Sequence, residues 1–255
     1  MLIDVHCHFN SLSQEMRNTA IESESRDYLF IDSSINYHDT LASLPLAQKY
    51  PFIYLTIGFH PFCAKEFCKD VLAQYEKLAR DNSKIIGIGE IGLDYKADIS
   101  QREQEEILSS FLVLADQCHL PVLIHNRFPS PRILDILDGI FKSYENIVFH
   151  CFSYSRDLLN KILSKGGFVS FSLNILRKKD ELLDSFASCP LENIFLETDS
   201  PYMKINGRIS SPLDIREVYA FAAAFKGIEE KRLQEAILAN AKKVFKLSGS
   251  SDYKT

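Results

Sequence analysis

The 255-residue sequence contains no uninterrupted apolar run of about 18 residues, the length that a membrane-spanning helix needs. Nor does it open on a basic stretch leading into an apolar one, so no secretory leader is expected. Six cysteines stand at 7, 63, 68, 118, 151 and 189, and none form a CxxC pair. Scattered over a chain of this length they suit reduced thiols, not a disulfide framework or a zinc ribbon, and the expected setting is cytoplasmic. Positive charge is in deficit: the formal net charge is −5. That argues against a broad basic surface for long duplex nucleic acid, but leaves room for a phosphate held by cations in a pocket. Linkers, low-complexity segments and sequence repeats are missing as well. One domain over residues 1–247 is expected, followed by a frayed polar tail, "SGSSDYKT", at 248–255. Nothing calls for a membrane or for an obligate protein partner.

What is present is a rhythm. Eight short apolar runs recur: "LIDVH" (2–6), "YLFIDS" (28–33), "FIYLTIG" (52–58), "KIIGIGE" (84–90), "PVLIH" (121–125), "NIVFH" (146–150), "GFVSFS" (167–172) and "NIFLET" (193–198). Their spacing is that of βα units. They are nearly continuous rather than alternating, as in parallel strands covered on both faces. The stretches between them have helical spacing. Ile107, Phe111, Leu114 and Cys118 share a face within 100–118, where Ser100 and Glu103 make a capping box. Val71, Tyr75 and Leu78 form a stripe within 67–82. Residues 156–167 read as a helix stopped by Gly166-Gly167, and two more helices are expected over 212–227 and 229–247. Eight such units in about 250 residues fit an α/β fold of the (β/α)8 TIM-barrel type. The competing architecture is a doubly wound open sheet.

The polar residues favour the barrel. Five runs end in side chains able to bind metal: His6 and His8, Glu90, His125, His150, and Asp199. In a barrel all strand C-termini open on one face, so these residues converge there. His6 and His8, two apart on a strand, face the same side, while Cys7 between them points away. Taken singly, each has a plain structural explanation: a hydrogen-bonded core histidine, an ion-pair partner, a turn cap before Pro201. Together, four of the seven histidines and two carboxylates at strand ends point to a site. Four imidazoles and two carboxylates exceed what one tetrahedral ion needs and suit two divalent ions about 3.5–4 Å apart. Nitrogen and oxygen ligands without thiolate suit Zn, Mg, Mn or Ni alike. His60, just after run 3, and Arg127, two after His125, fall on the same rim. Each has a structural and a substrate-contacting interpretation. His38 and His119 fall on helices and are expected to be solvated.

The motifs "DVHCH", "GFHP", "GEIGLDY", "LPVLIHNR", "VFHCFS" and "LETDSPY", in this order, resemble those of TatD-type metal-dependent deoxyribonucleases, within the amidohydrolase-like barrel superfamily. The resemblance runs from residue 1 to about 247. It implies that His6, His8 and Asp199 hold one metal, that His125 and His150 hold the second, and that Glu90 contacts both. His60 and Arg127 would then flank the scissile phosphate. The implied activity is 3′-to-5′ exonucleolytic cleavage of single-stranded DNA, or of RNA ends, by a metal-activated hydroxide, with Asp199 and Glu90 as catalytic carboxylates. One stretch departs from the pattern. After "ETDSPY" the loop "MKINGRISSP" (203–212) is a few residues short, with Arg208 standing in for the family's arginine as a substrate contact and a serine in place of the asparagine before the proline.

The metal ligands alone do not choose the bond cleaved, since the same hydroxide attacks carbonyl or phosphorus. An amide, ester or lactone hydrolase, such as an aminoacyl-linkage deacylase, is the first rival. A non-catalytic binding scaffold is the second.

Overall fold

A computed structural model of the chain describes residues 1–23, 27–127 and 132–247. The expected tail at 248–255 lies outside them. All eight runs are strands: β1 (Leu2–Cys7), β2 (Tyr28–Ser33), β3 (Ile53–Ile57), β4 (Ile85–Asp94), β5 (Val122–Arg127), β6 (Ile147–Phe149), β7 (Phe168–Phe171) and β8 (Ile194–Leu196). They pair in chain order, every pair parallel. A doubly wound sheet would reverse its strand order at a switch point; here the order has no reversal. The last strand returns to the first. Asp199 N–H donates to the His6 carbonyl at 3.0 Å, and His8 N–H donates to the Ser200 carbonyl at 2.8 Å. Below this seam the buried Asp4 carboxylate accepts from Thr198 N at 3.0 Å and Thr198 Oγ1 at 2.6 Å. The architecture is the (β/α)8 barrel.

Helices α1 (Gln14–Glu22), α2 (Tyr37–Lys49), α3 (Val71–Asp81), α4 (Gln101–Cys118), α5 (Arg132–Asp138), α6 (Arg156–Ser164), α7 (Asp180–Ser188), α8 (Ile215–Lys226) and α9 (Glu230–Phe245) surround it. Helix α4 starts where its capping box requires: Ser100 Oγ accepts from Glu103 N, and the Glu103 carboxylate accepts from Ser100 N. Its buried face carries Ile107, Phe111 and Leu114. Phe111 meets Phe67 at 6.1 Å and Tyr75 at 5.1 Å between ring centroids. Burying one such ring contributes about 1.5–3 kcal/mol. Helix α3 begins at Val71, later than the expected 67. A 3-10 turn over Pro61–Glu66 carries the chain to Phe67, which is extended and packs its ring on Phe59 and Phe111. Helix α6 ends as expected, with Gly166 in the left-handed region just beyond it.

The short loop after β8 folds as a hairpin, β9 (Lys204–Ile205) against β10 (Arg208–Ile209). Asn206 and Gly207 both take positive φ, 50° and 79°, as a tight two-residue hairpin turn demands.

Candidate metal centre

Each site side chain is placed by its strand. On β1 the period of two points Asp4, His6 and His8 together, while Cys7 turns its thiol to the Ile31 carbonyl. Ser33, ending β2, anchors both rings from behind. Its carbonyl accepts from His8 Nδ1 at 2.7 Å, and its hydroxyl lies 3.0 Å from His6 Nδ1. A carbonyl only accepts, so His8 keeps a proton on Nδ1, and it is Nε2 that gives up its proton to present a lone pair. That Nε2 is 3.1 Å from His6 Nε2.

Strand β4 does not end at Glu90, as the sequence suggests, but runs on to Asp94 with its register against β5 shifting between Ile88 and Ile91. Such irregularities re-aim a side chain, here Glu90, into the mouth. Gly92 pairs with His125, and a Cβ there would sit 1.7 Å from the His125 carbonyl oxygen. Only glycine lets the two strands approach this closely. The His125 ring then lies between two carboxylates: Nδ1 is 2.5 Å from Glu90 Oε1 and Nε2 is 3.0 Å from Asp94 Oδ2. His150, just past β6, has Nε2 at 2.8 Å from Glu90 Oε1 and Nδ1 at 3.4 Å from Glu197 Oε1.

Glu90 is therefore shared. Its Oε1 faces His125, His150 and, at 3.5 Å, His60 Nε2. Its Oε2 lies 3.4 Å from His6 Nε2 and 3.7 Å from His8 Nε2. Asp199, past the end of β8, places Oδ1 3.6 Å from His8 Nε2 and 4.0 Å from His6 Nε2. Burial alone would raise the Glu90 carboxyl, but the surrounding imidazoles of His150, His60, His125 and His6 outweigh it and hold it well below the carboxylate range. Asp199 is likewise held low, against burial, by His8 and its neighbours. Burial pushes His60 down to about 4, so its ring is neutral.

The donor set fits divalent cations. His6, His8 and Asp199 form one group with ligand atoms within 4.8 Å of one another; His6, Glu90 and His150 form a second; His60, Glu90 and His125 form a third. The far nitrogens of His6, His8 and His125 are tied to a hydroxyl, a carbonyl and a carboxylate, as those of metal-binding histidines are, while His60 Nδ1 accepts from Phe62 N–H. No thiol joins these groups among the described residues. Cys151 lines the cavity, but its thiol is engaged by Ser172 Oγ at 3.4 Å and Asn174 Nδ2 at 3.6 Å, and its backbone N–H donates to Glu197 Oε1 at 2.7 Å.

The cluster forms the floor of an open cavity of about 800 Å³. His60 and Arg127 both line it. Arg127 is half exposed, with Nη1 3.8 Å from Asp94 Oδ2. Arg208 is not brought there. Its guanidinium forks onto Asp214, at 2.8 and 2.5 Å, because the tight hairpin turns it toward the start of α8. Of the loop 203–212 only Met203 lines the cavity. His38 and His119 are exposed, as expected. The sequence reading passed over Ser33, Asp94, Glu197 and Arg177. Asp94 had a signal, standing an even four residues after Glu90 in the motif GEIGLDY, and Ser33 closes run 2.

Fold and cluster together define a metal-dependent hydrolase barrel. The family model for TatD related DNases matches residues 3–246, and the chain belongs to that family. It is 32% identical over 252 residues to an uncharacterized metal-dependent hydrolase of Methanocaldococcus jannaschii, covering 96% of each chain. It is 27% identical over 222 residues to the 3′-5′ ssDNA/RNA exonuclease TatD of Salmonella typhimurium, covering 83% of this chain and 85% of that one. Among solved structures, the TatD homolog YjjV of Escherichia coli superposes with a TM-score of 0.87 at 25% identity, covering 96% of this chain and 98% of that one. No helix among the described residues is long and apolar enough to cross a membrane.

Proposed function

We propose that the chain is a 3′-to-5′ exonuclease on single-stranded DNA, with RNA ends as a second substrate, working with two divalent cations held on either side of Glu90. The observation that carries this reading is the division of Glu90 itself: one oxygen faces His125 and His150, the other faces His6 and His8. His6, His8 and Asp199 would hold one cation, His125 and His150 the other, and Glu90 would touch both. Bound there, such ions supply Lewis acidity toward a phosphoryl oxygen and bring water's pKa toward neutrality.

The chain's own groups do the remaining work. Asp199 is ionised and lies at the cavity, free to take a proton from the attacking water. Neutral His60 beside Glu90 offers a hydrogen bond without adding charge. Arg127 sits at the rim, where a guanidinium pairs with non-bridging phosphate oxygens. An anionic protein binds a strand end in this way because the positive charge is local to the mouth. The choice of phosphodiester over acyl substrates rests on the relative named as an exonuclease.

The test is incubation of purified protein with end-labelled single-stranded DNA and RNA, with Mg or Mn and with chelator. Mononucleotides released from the 3′ end, and abolished by chelator, are expected. Turnover of an ester or lactone with no strand cleavage would move the assignment to the acyl rival.

A further inference from the structure

Exposed aromatic rings are concentrated at the mouth. Among the described residues the markedly exposed aromatics are Phe62, Tyr95, Tyr202 and Phe225, and all but Phe225 line the cavity above the cluster. Large apolar rings left in water at one opening mark a binding surface. Two of them flank the centre from opposite sides. Phe62, 56% exposed, stands edge-on to His60 with centroids 5.1 Å apart. Tyr202, 57% exposed, stands edge-on to His8 at 4.9 Å, and its hydroxyl lies 2.8 Å from Ser11 Oγ. Each ring thus rests against the cluster by an edge contact and keeps much of its surface open. Arg177 lines the same cavity and has no ion-pair partner among the described residues. Exposed rings with a neighbouring cation are the combination by which single strands are held irrespective of sequence: bases stack on the rings and phosphates meet the charge.

We infer that Phe62 and Tyr202 are stacking platforms for the two nucleobases flanking the scissile phosphate, with Arg177 holding a phosphate further along the strand. This rests on the nuclease reading above and adds to it that the bases, not only the backbone, are gripped. Because every base has a π-face, the grip is tolerant of sequence. It discriminates against strand ends that lack bases.

The experiment compares KM and kcat on a single-stranded oligonucleotide with those on one whose two 3′-terminal residues are abasic. Binding of both to the metal-free protein is followed in parallel by fluorescence anisotropy. Phe62→Ala and Tyr202→Ala are each expected to raise KM, and to weaken metal-free binding, by about 5- to 150-fold on the normal strand, with a smaller fall in kcat. Tyr202→Phe, which keeps the ring, is expected to stay near the parent protein. On the abasic strand the parent itself binds weakly, and neither alanine variant loses a comparable factor further. Val113→Ala, at an exposed apolar position on α4 away from the cavity, leaves all values unchanged. Strand cleavage with parental KM in both alanine variants, or equal losses on normal and abasic strands, would overturn the stacking inference alone. No cleavage of any strand by the parent protein would overturn the nuclease reading, and the inference with it.

Discussion

The two flanks of the cluster are built from the same ligand type and backed by different chemistry. On the β1 side, His6 and His8 lean on a neutral residue, the hydroxyl and carbonyl of Ser33. On the β4–β6 side, His125 and His150 face buried carboxylates, Asp94 and Glu197. Their protonation follows every carboxylate in reach, Glu90 and Asp199 ahead of the anchors. Burial and the charge of His150 push His6 down. His125 is raised against its burial by Glu90 and Asp94, and His150 by Glu90 and Glu197. His8, raised to about 9 despite burial, owes this to Asp199 across the mouth and to Glu90, not to its anchor. A carboxylate behind an imidazole makes it a more basic ligand and fixes its tautomer. If each flank holds a cation, as proposed, the carboxylate-backed β4–β6 side is expected to hold it the more tightly.

The largest effect is expected at Asp199, which faces His6 and His8 across the mouth. Asp199→Asn keeps the shape of the strand end but removes the proton acceptor and a charge. Turnover should fall about a hundredfold to ten-thousandfold, with an unchanged circular dichroism spectrum; parental rates would dismiss its catalytic role. Next comes the charged anchor. Asp94→Asn leaves His125 an acceptor without charge, and metal affinity on that flank should drop about 10- to 100-fold, read by competition with a chelating dye. Ser33→Ala removes only the hydroxyl behind His6 and keeps the carbonyl behind His8, so its effect should be smaller, about tenfold or less. Equal losses from the two anchors would erase the distinction between the flanks.

At the rim, one arginine lines the cavity and the other does not. Arg127→Ala should raise KM about tenfold with less change in kcat, as the loss of a charged contact to substrate would. Arg208→Ala should leave KM alone and cost at most about 1 kcal/mol in stability, since the guanidinium is solvent-exposed and the buried Asp214 carboxylate keeps its bond from Ser211 N–H. Steady-state kinetics and thermal melts on the pair separate the two.

Much of this was legible in the sequence because two periodicities carry it. Runs of β-branched and apolar residues at βα spacing gave all eight strands, and the alternation of His6 and His8 placed both rings on one side. The cluster of histidines and carboxylates was legible because strand ends must meet at a barrel mouth. The anchors were harder. Ser33, Asp94 and Glu197 look like ordinary run-ending polar residues until the register sets them behind particular rings. The irregular register of β4, with Gly92 against His125, follows from a close approach of backbones that composition does not reveal. Arg208 went to Asp214 because an Asn-Gly turn folds the loop tightly back, and basic residues in loops carry no signal of direction.

The account stands most directly on how many cations the mouth holds and where. Protein purified without chelator should contain two equivalents of divalent metal by elemental analysis. Anomalous scattering should place one between His6, His8 and Asp199 and the other at His125 and His150, with Glu90 between them. A single ion, or ions bound away from Glu90, would contradict it.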